Sequence, residues 1–276
     1  SNSPKKRLII LLSGILLIVA IIVVALFLFD VIGGKKQTEE SEKSIAVLPF
    51  KLLSDEPDKQ YLADGMMDAI LLHLSKIEDL RVMSRTSVEQ YRVSDKTMTE
   101  IGRELGVGYL LEGSFQKYGD NVKLIVQLIR ASKESHVWSN EYDRNWKDIF
   151  SVQSEVAQAI ASELHAVITP EEKQTIEKIP TTDLTAYDFY QRGNDEYFKY
   201  FAEDNIEALE KAENLFKKAL KYDSTFAQAY ASLSLVYMNK PPSEEYFSEK
   251  YFDSVLILTD RALFYNNQLA EAYEIR

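Results

Sequence analysis

One uncharged stretch constrains this chain more than any other. From Leu8 to Phe29 the residues are apolar except for Ser13 and Gly14. At about 1.5 Å per residue a helix of that length reaches roughly 33 Å, the thickness of a bilayer's hydrocarbon core. A cleaved signal peptide has a shorter apolar region followed by a small-x-small site, whereas Asp30-Val-Ile-Gly-Gly follows here. The run therefore reads as a retained anchor. Lys5, Lys6 and Arg7 precede it, while Lys35 and Lys36 follow and give way at once to acidic residues. The positive-inside rule then favours a cytoplasmic amino terminus, a single pass through the inner (cytoplasmic) membrane and a periplasmic remainder.

Charge narrows the function classes. The chain carries 32 basic and 43 acidic side chains, a formal net charge of −11. Residues 1–36 hold five of the basic ones and a single acid, so the part beyond them has 27 against 42 and a net charge of −15. Such a body repels nucleic acid, and no nucleic acid is expected to bind this chain itself. There is no cysteine, which excludes disulfides, thiolate metal sites and thiol nucleophiles. The three histidines, His73, His136 and His165, have no i, i+4 pairing. No metal or cofactor site is expected.

The pattern divides the chain into an anchor with basic flanks (1–36), a polar linker (37–43), a mixed domain (44–168), a second linker (169–184) and a helical region (185–276). "KSIAVLPF" has the character of a buried strand ended by Pro49. Leu62, Met66, Met67, Ile70, Leu71, Leu74 and Ile77 recur at three- and four-residue steps, which predicts an amphipathic helix facing a sheet. "LRVMS" reads as a second strand, and Thr86-x-x-Glu89 and Thr97-x-x-Glu100 as capping boxes. "YLLEGSFQK" and "VKLIVQLIRA" flank a Gly119-Asp120 turn, a hairpin signal, with Val122, Leu124, Val126 and Leu128 on one face. "HVWSNEYDR" adds a strand on which His136 and Trp138 share a face. A helix from about Asp148 to Ile168 presents Val152, Val156, Ile160 and Leu164 as one stripe. The fold class is an α/β domain, a mixed sheet with packed helices, between the transmembrane helix and an all-α region.

That all-α region repeats itself. "ALKYDSTFAQAY" at Ala219 returns as "ALFYNNQLAEAY" at Ala262, a period of 43. The positions resemble the tetratricopeptide repeat: Phe189, Gly193, Ala212, Phe216 and Ala219 match in the first copy, and Tyr230, Leu233, Ser234, Tyr237 and Ala262 in the second. Val255 and Thr259 depart from the pattern. The family's period is 34, so each copy needs an insertion, around "KYFAEDN" and "NKPPSEEYFSEKY". A third copy would be cut short at Arg276, and further repeats are expected in the parent protein.

Few constellations suggest chemistry. Asp64 and Asp68, four apart, could pair at a strand's carboxyl end, and with His73 they make a hydrolase the enzymatic reading. The bland alternative makes Asp64 the N-cap and Asp68 a first-turn residue favoured by the helix dipole, and helical spacing turns His73 half a turn away from Asp64. Gly102, Gly106 and Gly108 read as a helix C-cap leading into a strand rather than a nucleotide loop. Tyr142, Asp143, Arg144 and Trp146 read as a strand end seating an aromatic at the sheet edge.

"SIAVLPF", "YLADGMMDAILLHLSKIEDLRVMSRTSVEQY", "LGVGYLLEGSFQKYGDNVKLIVQLIRA", "HVWSNEYDR" and "DIFSVQSEVAQAIASEL", in this order over residues 44–168, resemble the bacterial TolB amino-terminal-like domain of the FlgO type. The resemblance implies a domain commonly joined to tetratricopeptide repeats and to a signalling output such as a nucleotide cyclase, a kinase or a DNA-binding domain, and it brings no catalytic residues. In the most similar arrangement an AraC-type helix-turn-helix domain precedes the membrane helix, which would place a DNA-binding domain upstream in the parent protein.

The expected function is therefore the membrane-anchored sensing and protein-interaction part of a bacterial signalling or transcription regulator, not an enzyme. A cell-envelope assembly adaptor is the alternative. The bilayer is one partner, through Leu8 to Phe29; a protein or peptide in the repeat groove is the other. The repeat pattern points Tyr187, Tyr190, Asn194, Tyr197, Gln228 and Asn239 toward that groove, although the tyrosines fit packing between helices equally well.

Overall fold

Ser44–Val47 (β1) organises the sheet, because all four residues are buried and paired strands lie on both sides. The computed structural model describes residues 43–54, 56–240 and 249–276. The run from Leu8 to Phe29 lies outside them, and among the described residues no helix is long and apolar enough to cross a membrane. The other strands are Lys51–Leu52 (β2), Arg81–Val82 (β3), Tyr109–Tyr118 (β4), Asn121–Arg130 (β5) and Ser135–Asn145 (β6). Their spatial order is β3-β1-β4-β5-β6, and β2 continues along β4 where β1 leaves off. Pairing is parallel on the β1 side of β4 and antiparallel beyond it.

The parallel half needs cover on both faces, and the alternation along β1 supplies it. Ile45 and Val47 point into a large core with Gln60–Ser75 (α1), while Ala46 and Leu48 point into a smaller one with Arg85–Glu89 (α2) and Met98–Leu105 (α3). Ile149–Glu163 (α4) joins α1 on the large-core face through Val152, Val156 and Ile160. Val122, Leu124, Val126 and Leu128 of β5 are all buried there, as their alternation predicts. Gly119 takes the left-handed φ of 56° that the two-residue β4–β5 turn requires. Gly106 closes α3 with a left-handed C-cap, so the C-cap reading of this glycine cluster holds.

Four local expectations need correction. Thr97 and Glu100 do form a capping box, but Thr86 does not cap: Ser84 is the N-cap of α2 and accepts from the Ser87 amide. His136 and Trp138 do not share a face, because a bulge at Val137 sets Trp138 opposite Leu128 and His136 opposite Ile129. The helix expected to reach Ile168 ends at Glu163, and His165 turns left-handed at φ 52°. Residues 170–176, read as linker, form helix Pro170–Ile176 (α5), capped by Thr169 and Glu172 and anchored in the large core by Ile176.

The remaining helices are Leu184–Glu203 (α6), Ile206–Tyr222 (α7), Ala227–Met238 (α8), Glu249–Tyr265 (α9) and Ala270–Ile275 (α10), each packed on its neighbour in sequence. Spacing of 43 recurs in side-chain bonds: Tyr230 donates to the Ser224 carbonyl at 3.1 Å and Tyr273 to the Asn267 carbonyl at 3.0 Å. Ala219 and Ala262 are both fully buried, as are Ala229 and Ala272. Gly193 lets α6 approach α7 closely, since a Cβ there would stand 2.6 Å from the Phe216 ring. The departures at Val255 and Thr259 are absorbed by a buried polar pair: Ser234 and Thr259 hydroxyls lie 2.9 Å apart, and Thr259 donates to the Val255 carbonyl.

Sheet and helices share one core. Tyr187, Ala219, Phe226 and Ala229 belong to the same buried cluster as Ile45, Met66 and Phe115. At the junction Tyr187 sits edge-on to Phe150 at 4.7 Å and accepts from Gln153 at 2.8 Å, while Tyr61 donates to Asp188 at 2.7 Å.

Candidate functional site

The residues that carried the sequence-based hypotheses meet along α1, and the two halves of this helix behave differently. In its first half the carboxylates are all engaged. A 3-10 turn at Pro57–Lys59 leads into α1, and Lys59 at the N-cap offers no side-chain cap, so Asp64 is not the N-cap that the sequence suggested. It lies within the helix, buried, accepting from Gln60 at 2.9 Å and from Arg92 at 3.0 Å. Asp68 is bonded to Arg85, whose guanidinium also lies 3.9 Å over the Phe198 ring of α6. Arg92 closes the network on Glu89. Burial pushes the Asp64 carboxyl up, against Arg92, Gln60 and Arg85. It pushes Asp68 up to about 6, with Arg85 opposing and Asp64 and Glu89 adding to the rise. Both carboxylates are tied to arginines, Asp64 to Arg92 and Asp68 to Arg85.

In the second half the polar groups face empty space. Asp68, His73 and Lys76 line a cavity of about 90 Å³ between α1, α4, α6 and α8, which Asp64 does not reach. The His73 Nδ1 is buried and has no hydrogen-bond partner. Burial, with the nearby Lys76 charge adding, lowers its pKa to about 3, so the imidazole is neutral. Lys76 is lowered too, first by burial, with Lys178 adding and Glu271 opposing. Its ammonium donates only to the Thr175 carbonyl at 3.3 Å and makes no ion pair among the described residues.

Four of the six groove candidates, Tyr187, Tyr190, Asn194 and Gln228, line this cavity. Tyr187 is packed rather than free, and burial raises its pKa; burial also pushes Tyr190 up to about 12. The other two stand apart, where Asn239 donates to the Tyr197 hydroxyl at 3.0 Å. Beyond Leu72, Lys76, Lys178, Pro180 and Gln228, which border both spaces, a cleft of about 500 Å³ opens along the amino-terminal ends of α8 and α10. Sequence reasoning missed Lys76, Gln153, Lys178 and Gln191. Lys76 was within reach of it, three residues past His73 on the same helix; the others come from separate elements, and no spacing links them.

This architecture, a mixed sheet joined through one core to a helical array, has relatives in sequence. Residues 41–162 match the family described as HilA/YgeH-like transcriptional regulator, second domain, nearly the span of the TolB-like resemblance. A protein of Rhizobium meliloti (strain 1021) named "Putative adenylate cyclase 3" is 34% identical over 196 residues, 71% of this chain. The chain spans 33% of that relative's length. Among solved structures, TolB from Acinetobacter baumannii aligns over 44% of this chain and 28% of its own, at 16% identity and a TM-score of 0.34. Lipoprotein GNA1162 from Neisseria meningitidis aligns over 46% of this chain and 99% of its own, at 16% identity and a TM-score of 0.34.

Proposed function

We propose that this chain is the sensing and protein-interaction part of a membrane-anchored bacterial transcription or signalling regulator. The observation that carries the reading is the match of residues 41–162 to the second domain of HilA/YgeH-like transcriptional regulators. The relative named as an adenylate cyclase fits the same reading: its matched portion is a minor part of a longer protein whose name describes a signalling output. The helices from Leu184 onward act as tetratricopeptide-like repeats, and their cleft along α8 and α10 takes a protein or peptide partner. The segment from Leu8 to Phe29 holds the chain in the inner membrane with residues beyond 36 in the periplasm. The chain itself performs no catalysis, a reading supported by the ties of Asp64 and Asp68 to arginines.

A chain without cysteine makes the test direct. In intact cells a membrane-impermeant maleimide is expected to label Ser224→Cys and not Ser3→Cys; the reverse pattern overturns the topology. A photo-crosslinker at Gln268 is expected to trap a discrete partner that is lost when Gln228→Arg is added. Trapping unaffected by that substitution overturns the groove. A trapped envelope-assembly protein, with transcription unchanged on its removal, selects the adaptor reading instead.

A further inference from the structure

The polar half of α1 is built for something small. The cavity is bounded by α1 on one side, by α4, α6 and α8 on others and by Glu177, Lys178 and Pro180 at its mouth, and its volume of about 90 Å³ exceeds what a single water occupies several times over. Its walls combine an unpartnered buried imidazole nitrogen at His73, an ammonium at Lys76 without an ion-pair partner, and side-chain amides at Gln191, Asn194 and Gln228. Lys76 and Lys178 stand together where the cavity opens into the larger cleft, and each lines both spaces. Lys178 is held there by a 2.8 Å bond to Asn266.

A half-buried ammonium with one weak carbonyl acceptor is costly unless an anion completes its shell. The carboxylates nearby do so only in part: Asp68 is bonded to Arg85, Glu177 accepts from Gln158 and lies 3.8 Å from Lys173, and Glu271 attracts the Lys76 charge without bonding to it. A carboxylate entering from the cleft would accept from the Lys76 ammonium and from the Nδ1–H tautomer of the neutral His73 imidazole at once, and charge-assisted bonds such as the first are the strong ones. Phosphate esters fit less well, since their extra charge would meet Asp68 and Glu177, which also line the cavity.

We infer that this cavity is a binding site for a low-molecular-weight carboxylate, its acid group between His73 and Lys76 and its remainder directed past Lys178 into the cleft. The site lies between α1 and α4, which pack on the sheet, and α6 and α8 of the helical array, so its occupant touches helices of both regions. Asp68 and Glu177, also in the lining, would meet an ammonium if the carboxylate belongs to an amino acid.

Two probes of equal carbon skeleton separate the sources. The full chain in detergent micelles is titrated calorimetrically with succinate and with L-aspartate, and with D-glucose and 1,4-diaminobutane as neutral and cationic counterparts. Saturable binding of the acids is expected, weakened about tenfold or more in Lys76→Met and in His73→Leu and unchanged in Lys218→Met. Tighter binding of L-aspartate assigns an amino acid; equal binding assigns a simple organic acid. Should His73→Leu fail to fold, Lys76→Met, whose side chain is only half buried, still decides. No saturation up to about 10 mM, binding indifferent to Lys76→Met, or preference for glucose or the diamine overturns the assignment.

Discussion

The two halves of helix α1 differ in how their charges are satisfied. Around Asp64 and Asp68 every charged side chain has an opposite number: Arg92 bridges Asp64 and Glu89, and Arg85 holds Asp68 while stacking on Phe198 of the helical array. Two turns further on, His73 and Lys76 are desolvated to a similar degree and left without such partners. Pairing on this scale costs specificity of geometry and yields cohesion, whereas unpaired polar groups beside a void give up stability. The first half fastens sheet to helices; the second leaves room for a ligand.

That contrast breaks most visibly at Arg85. Arg85→Ala strands Asp68 and removes the contact to Phe198, and a loss of about 3–5 kcal/mol in the unfolding free energy is expected from urea titration. His73 gives the next effect, through pH. Its folded pKa of about 3 lies below the unfolded 6.5, so its contribution is present above pH 6.5 and is lost as pH falls toward 3. Asp68, raised to about 6 from 3.8, has the opposite sign: its contribution is present below pH 3.8 and is lost as pH rises through 6. The two slopes offset one another between pH 3.8 and about 6. His73→Gln therefore uncovers the Asp68 slope, and thermal melts should show about 2–3 kcal/mol of relative gain at pH 4.5.

Smaller effects sharpen the same contrast. At Gly65 a Cβ would stand 2.4 Å from the Gln191 carboxamide, so Gly65→Ala must push that side chain aside at about 1–2 kcal/mol. Lys76→Met should do the reverse and raise stability by up to about 1 kcal/mol, since it removes a partly buried charge that no ion pair among the described residues compensates. A destabilised Lys76→Met would mean that the attraction of Glu271 outweighs the burial of this ammonium.

Much of the architecture was legible from period alone. Alternation found β5, three- and four-residue steps found α1, and the recurrence from Ala219 to Ala262 found the helix pairs, because each pattern reports which face is apolar. Ends were harder: the bulge at Val137 and the left-handed turn at His165 are single-residue events that no periodicity announces. Asp64 misled for a related reason. An aspartate near a helix start suits a cap, and only Arg85 and Arg92, 21 and 28 residues away, reveal it as an interior ion-pair member. The cavity was half visible, as a set of tyrosines and amides on one side of a repeat; the opposing wall on α1 depends on how two regions distant in sequence fold together.

The unbroken core beneath that seam has a consequence for how the chain comes apart. With Ile176, Tyr187 and Phe226 seated among the residues of the sheet, there is no natural place to cut: trimming the chain after Ile168 would lay bare a greasy scar, and heating it should give one melting event rather than two. Whatever is felt at the far helices arrives at the strands without slack.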